Sequence, residues 1–346
     1  IARLAAANGL TLGPPEGAQM LANAAFAFDP LWLAHIKARP DTILTSGGVP
    51  VLAHVSDPTA AQAVAAAMLA DARYENPSLT AYEAETMPEL VNDQLRKRER
   101  PFVGRLLPDS QATLERASYA GAYKGATDLL TKYLWPGFAF QLTRLAARIG
   151  LSPNQVTGIG FLLCVLTGYL FYLGQYWPGL ATGFLFMVLD TVDGKLARCT
   201  ITSSRWGHIL DHGTDLIHPP FWWWAFAMGL DAYGTPLSEK TIWIAFGVIL
   251  LAYVVQRLIE GAFIGAFKMH IHVWRRFDTH FRLVTARRNP NMAILLLCLA
   301  LGRPDWGFLA LAWWGALCCA VHLVRLAQAY ARRARGQTIV SWLDAG

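Results

Sequence analysis

The sequence predicts an all-α membrane domain of six transmembrane helices, with an N-terminal cytosolic α+β domain and juxtamembrane amphipathic helices ahead of it. Three observations predict this. The 346 residues are 54% hydrophobic and 16% charged, with a mean hydropathy of +0.31, too apolar for an ordinary soluble protein. The long apolar runs lie after residue 150, whereas residues 1 to about 107 read as soluble. Basic residues collect on alternate connections between the apolar runs, as orientation in a membrane requires.

Residues 1–107 are expected to form the α+β domain. Asp29 as N-cap and Pro30 in the first turn open a helix. Thr42-Ile43-Leu44-Thr45 and the stretch from Val49 to Val55 read as two strands around the turn Ser46-Gly47-Gly48. Thr59 to Ala72 is alanine-rich and helical. The run Arg96-Lys97-Arg98-Glu99-Arg100-Pro101 reads as a charged linker. Residues 108–150 are expected to form a linker and amphipathic helices, over 109–134 and 138–149. In the second, Phe138, Phe140, Leu142, Leu145 and Ile149 alternate with Arg144 and Arg148, which suits a membrane interface.

The membrane domain is placed at 151–335, with a tail at 336–346. Ser152 is a candidate N-cap for its first helix. The six spans fall near 155–173, 178–195, 207–230, 240–266, 290–302 and 305–327, the fifth being short for a bilayer. Lys195, Arg198 and Arg205 share one connection, and Lys268, Arg275, Arg276, Arg282, Arg287 and Arg288 another. Arg332, Arg333 and Arg335 follow the last span, and the opposite loops hold only Lys240 and Arg303. This asymmetry puts both termini on the cytoplasmic side of a multi-pass protein, as in a bacterial inner membrane. Pro219 and Pro220 are expected to kink the third span, and Trp222, Trp223, Trp224, Trp313 and Trp314 to pack or anchor at interfaces. Glu260 faces either a polar cavity or a neighbouring helix.

The net charge of +6 suits an anionic membrane surface or a phosphorylated substrate. It argues against nucleic acid, because the basic residues flank apolar spans and do not cover a soluble face. Cys164, Cys199, Cys298, Cys318 and Cys319 contain no CxxC pair and read as free thiols. The sequence as given shows no cleavable signal peptide.

The chemistry concentrates in LDTVDGKLARCTITSSRWGHILDHGTD, Leu189 to Asp215. Asp190 and Asp193 are spaced i, i+3, and Asp211 and Asp215 i, i+4, so on helices each pair shares a face. Carboxylates at membrane depth are costly and point to function. Four of them converging would repel unless cations lay between them, and hard divalent cations take oxygen ligands. Gly194, Ala197 and Gly207 leave room for a ligand, and Arg198 offers a planar fork for phosphate.

Asp190-x-x-Asp193-Gly194-x-x-Ala197-Arg198, eight residues, then Gly207-x-x-x-Asp211-x-x-x-Asp215, resembles the signature of the CDP-alcohol phosphotransferase (CDP-alcohol phosphatidyltransferase) family at all eight fixed positions. The resemblance extends over roughly 151–335. It implies an integral membrane enzyme that transfers a substituted phosphate from a CDP-alcohol donor to a hydroxyl acceptor and releases CMP, in phospholipid or polyol-phosphodiester synthesis. It implies two Mg²⁺ or Mn²⁺ ions held by Asp190, Asp193, Asp211 and Asp215, with Asp215 also the catalytic base. It implies CDP contacts at Gly194, Ala197, Arg198 and Gly207, a cytoplasmic active site, membrane-lipid partners and a homodimer. The inositol-phosphate branch further implies an acceptor phosphate held by residues among Arg275, Arg276, Arg282, Arg287 and Arg288. The N-terminal domain is placed like the nucleotidyltransferase domain fused ahead of the membrane domain in that branch. It shows no glycine-rich nucleotide-binding start, so a degenerate relative and an unrelated accessory domain both stay open.

Three rivals remain. An ion-coupled transporter could use intramembrane carboxylates, although no inverted repeat with broken helices is visible. His208 and His212, spaced i, i+4, could hold zinc with Asp215, although there is no HExxH. A pseudoenzyme scaffold would not need the intact motif.

Overall fold

A computed structural model describes the chain apart from Pro15, Glu16, Ala345 and Gly346, and apart from the side chains of Arg205, Trp206, His208, Leu210, Asp211 and His212. The backbone divides into two units, Ile1–Gly125 with Arg198–Ile201, and Ala126–Ala197 with Thr202–Gly346.

The first unit runs α1 (Ala2–Ala7), β1 (Met20–Ala22), β2 (Phe26–Phe28), α2 (Pro30–Lys37), β3 (Thr42–Ser46), β4 (Val49–His54), α3 (Pro58–Leu69), β5 (Thr80–Glu83), β6 (Leu90–Asn92), β7 (Lys97–Glu99), β8 (Val103–Arg105) and α4 (Gln111–Gly121). Its main sheet has the order β1-β4-β3-β5. The β3–β4 hairpin turns through Gly47 and Gly48 at φ +58 and +79, values that favour glycine. Side chains alternate across the sheet. Leu44 and Leu52 join Phe26, Trp32 and Ile36 on one side, while Ile43 and Ala53 join Ala61 and Val64 on the other. The two helices start as the sequence suggests, with Asp29 accepting from the Leu31 N–H and Asp57 from the Ala60 N–H, each before a proline.

Two expectations need correction. The charged run is no linker, because Lys97–Glu99 forms β7, antiparallel to β6. Tertiary contacts make it a strand: Asn92 of β6 donates to Glu99 Oε1 at 2.9 Å, and the Lys97 ammonium donates to the Gly121 carbonyl at 2.7 Å. The amphipathic segment 109–134 is also not one helix, since α4 ends at Gly121 and a separate π-type turn, Leu130–Leu134, precedes the next helix.

The second unit is helical. It contains α5 (Trp135–Arg148), α6 (Pro153–Tyr172), most of α7 (Tyr176–Thr200), α8 (Arg205–Met228), α9 (Leu230–Tyr233), α10 (Glu239–Phe267), α11 (Arg276–Arg282), α12 (Arg288–Ala300) and α13 (Pro304–Ala334). α5 buries Trp135, Ala139, Thr143 and Ala146 and exposes Phe138 and Leu145, with Ile149 exposed just after it. α6 opens with a reciprocal cap, in which Gln155 N–H donates to Ser152 Oγ and Ser152 N–H to Gln155 Oε1. Among the described residues, three helices are long and apolar enough to cross a membrane: α6, α10 and α13.

α8 continues through Pro219 and Pro220. Each proline lacks the N–H that would bond four residues back, which orphans the carbonyls of Asp215 and Leu216. Tyr253 on α10 supplies the missing donor, its hydroxyl donating to Leu216 O at 2.8 Å and lying 3.5 Å from Asp215 O. The prolines are thereby tolerated, as in membrane helices generally.

Candidate functional site

α7 carries Asp190 and Asp193 one turn apart, and α8 carries Asp215. The turn between these helices is set by Ser204, whose hydroxyl accepts from Gly207 N–H at 3.0 Å. Gly207 sits close to α6: a Cβ there would lie 2.5 Å from Asn154 Oδ1. Its small size therefore has a packing reason as well as the expected ligand-facing one.

The structure brings Asp190 and Asp215 together through one residue that the motif does not contain. Arg288, the first residue of α12, donates from Nη2 to Asp190 Oδ2 at 2.6 Å and from Nη1 to Asp215 Oδ1 at 2.7 Å. Its guanidinium lies over the Phe186 ring, 4.8 Å from the centroid, with its side chain only 12% exposed. Such charge-assisted bonds from a planar fork are the strong kind. Asp193 is buried and accepts from the Thr157 hydroxyl of α6 at 2.6 Å. Asp211 falls among the side chains outside the description, as do His208 and His212.

Next to Arg288 on each side are two further polar anchors. Asn289 is buried and donates to Asp128 Oδ1 at 3.0 Å and Thr131 Oγ1 at 2.9 Å. Arg287 pairs with Glu260 of α10, which also accepts from His272 at 3.2 Å and lies 3.3 Å from Arg257. Glu260 thus gathers Arg257 from its own helix, Arg287 from the connection after α11 and the His272 imidazole from the connection before it. Asp128, Thr157, Asn289 and His272 were not singled out from the sequence. The only hint was Asn289-Pro290-Asn291, two amides at the start of an apolar helix.

The remaining expected residues are dispersed. Arg198 falls in the first unit, where its Nε donates to the Ala122 carbonyl at 3.0 Å. Gly194 and Ala197 lie on α7. Arg275 and Arg276 are exposed, with their guanidinium groups 5.7 Å from the Trp274 ring and 5.5 Å from the Trp342 ring. Arg282 is half-buried at the end of α11.

Among the described residues no three His, Cys, Asp or Glu side chains form a ready metal cage. The donor chemistry nevertheless suits a hard cation. Two carboxylates, one from α7 and one from α8, are bridged by the Arg288 guanidinium, which stands where a cation would bridge them.

Residues 151–287 match the family model for CDP-alcohol phosphatidyltransferase. Archaetidylinositol phosphate synthase of Pyrococcus horikoshii is 38% identical over 78 residues, covering 22% of this chain and 40% of that protein. Phosphatidylinositol phosphate synthase of Mycobacterium marinum is 36% identical over 94 residues, covering 25% and 40%. The chain thus spans well under half the length of these two relatives. Two solved structures of phosphatidylinositol phosphate synthase from Mycobacterium tuberculosis also align. One has CDP-DAG bound, at 21% identity, covering 54% of this chain and 92% of that one, with a TM-score of 0.42. The other is in complex with manganese and citrate, at 20% identity, covering 54% and 87%, with a TM-score of 0.41. The family match supports the transferase reading and leaves the transporter without support. Asp190, Asp193 and Asp215 all lie within the stretch, residues 151–287, that matches the family model for CDP-alcohol phosphatidyltransferase.

Proposed function

We propose that the chain is an integral membrane CDP-alcohol phosphotransferase that moves a substituted phosphate from a CDP-alcohol to an acceptor hydroxyl. The observation that carries this reading is the convergence of Asp190 and Asp215, from two helices, on one cationic group. The acceptor oxygen attacks the β-phosphorus, the bond from that phosphorus to CMP breaks, and the hydroxyl proton passes to Asp215. Asp215 is the more exposed of the two carboxylates, 46% against 20% for Asp190, which suits a group that must meet an incoming hydroxyl. Asp190, Asp193, Asp211 and Asp215 would hold two divalent ions, Mg²⁺ or Mn²⁺, which when bound neutralise the diphosphate and the leaving oxygen. Thr157 fixes the rotamer of Asp193. Gly194, Ala197, Arg198 and Gly207 remain the proposed CDP contacts.

On the acceptor side the burial pattern favours Arg282, Arg287 and Arg288 over the exposed Arg275 and Arg276. An acceptor bearing a phosphate fits this surplus of arginines, and the names of the relatives point the same way. The proposal extends to the setting of the enzyme. α6, α7, α8, α10, α12 and α13 serve as six spans of a multi-pass inner-membrane homodimer, with both termini and the site cytoplasmic. Residues 1–107 act as an accessory domain, 108–150 as the juxtamembrane region and 151–335 as the catalytic domain.

The test is CMP release by purified protein from a panel of CDP-alcohols and acceptors, with Mg²⁺ or Mn²⁺ and with chelator. Release that persists unchanged in chelator would sink the metal part. Asp215→Asn should abolish turnover while donor binding survives better than in Asp190→Asn. Equal loss of binding in both removes the assigned division of roles.

A further inference from the structure

We propose that Arg288 is a built-in placeholder cation: its guanidinium holds Asp190 and Asp215 until a divalent ion takes over, and an anion that captures the guanidinium favours that exchange. The inference rests on the metal reading above and adds a regulation of the same site.

Three observations carry it. First, the guanidinium bridges the two carboxylates, one N–H to each, at 2.6 and 2.7 Å. Its third nitrogen, Nε, makes only a long contact of 3.4 Å to Asn289 Oδ1. Its hydrogen bonds thus go chiefly to the groups a metal would claim, with the Phe186 ring as its other contact. Second, the group that bridges the two acidic side chains is monovalent. A hard divalent ion satisfies the same oxygens with twice the charge at shorter distance, so the two occupants compete directly.

Third, the backbone at Arg288 is pinned from both sides by contacts that do not involve its own side chain. Arg287 is fixed by Glu260, which is itself bonded to His272. Asn289 is fixed by Asp128 and Thr131. When the guanidinium leaves the aspartates, α12 has no reason to shift. The exchange is therefore a rotamer change at one residue, and it delivers a charged, half-buried fork to whatever anion lies nearby.

Linkage makes the consequence reciprocal. If the metal displaces the guanidinium and the displaced guanidinium binds an anion, the anion must tighten metal binding by the same factor. The device would hold the acceptor-side arginine back until the donor-side cation is seated.

The test measures Mn²⁺ binding to the purified full-length protein by the EPR signal of free Mn²⁺, with and without sodium sulfate at constant ionic strength. Sites lost in Asp190→Asn define the binding that counts. Arg288→Gln should bind Mn²⁺ about tenfold more tightly than the wild type, within the usual range of site-to-site coupling. Sulfate should tighten Mn²⁺ binding in the wild type and leave Arg288→Gln unchanged. Arg288→Lys keeps the charge without the two-armed bridge and should fall between them. Equal Mn²⁺ affinity in all three proteins, or weaker binding in Arg288→Gln with Arg288→Lys like the wild type, overturns the inference and leaves the metal reading standing. No Mn²⁺ binding in any of them removes both.

Discussion

The two units satisfy their charges in different ways. In the α+β unit the Asp71–Arg105 pair is solvent-exposed, and Glu83 is held by the Thr45 hydroxyl and by the N–H groups of Gly47 and Gly48. In the helical unit, Arg288 ties α12 to both α7 and α8, and Glu260 ties α10 to the connections around α11. The first unit is assembled by an apolar core on two faces of a sheet, and its exposed Asp71–Arg105 pair is incidental to the fold. The second is built around long apolar helices, and apolar contact alone does not specify which helices meet. There the few charges choose the partners. Exposed pairs are worth little, whereas breaking a buried pair strands a charge.

The largest stability effect should therefore come from Glu260→Ala. It leaves Arg257 and Arg287 without the carboxylate that joins them, in a setting where loss of one partner costs about 3–5 kcal/mol. The melting midpoint of detergent-solubilised protein should drop well below that of Asp71→Asn, which should melt like the wild type. Similar midpoints for the two variants would erase the contrast drawn between the units.

How much of this was legible in the sequence depended on the range of the interaction. Caps and turns were readable because their partners are three or four residues away: Asp29 before Pro30, Ser152 three before Gln155, and Gly47-Gly48 between two strands. The i, i+3 spacing put Asp190 and Asp193 on one helix face for the same reason. Arg288 was visible only as one of several basic residues in a loop, since its partners lie 98 and 73 residues earlier. Glu260 likewise gave no hint that it would hold Arg287, 27 residues on. The run around Lys97 was misread because its three strand residues are all charged, and no alternation of apolar side chains marks it. Pairing with β6 decided that strand, and pairing is a tertiary fact.

A middle-sized effect is expected at Tyr253, where the two kinds of satisfaction meet. Its hydroxyl repairs backbone carbonyls that prolines have orphaned, and it does so beside a proposed catalytic residue. Tyr253→Phe removes one hydrogen bond and leaves Leu216 O, and in part Asp215 O, without a donor, at a cost of about 1–3 kcal/mol. Because the loosened turn carries Asp215, kcat should fall more than donor KM rises. A pure loss of melting temperature with unchanged kinetics would show that the prolines need no help in placing the aspartate.

The smallest effect is expected at a buried charge of the α+β unit. Asp29 is buried at the N-cap of α2. Burial pushes its carboxyl above the ordinary 3.8, the Leu31 N–H pulls it back in part, and Glu99 adds to the rise. A carboxyl raised in the folded state stabilises it through the protonated form. That contribution is complete below the unfolded pKa and is lost as pH climbs through the folded one. At neutral pH the buried charge is therefore a cost that Asn, an equally good N-cap, does not carry. Asp29→Asn should raise the melting midpoint slightly at pH 7 and leave it unchanged near the acid end, where Asp29 is already neutral. A gain of the same size at both pH values would assign the effect to packing against Gly121, where a Cβ would come within 2.7 Å of Asp29 Oδ2, and not to charge.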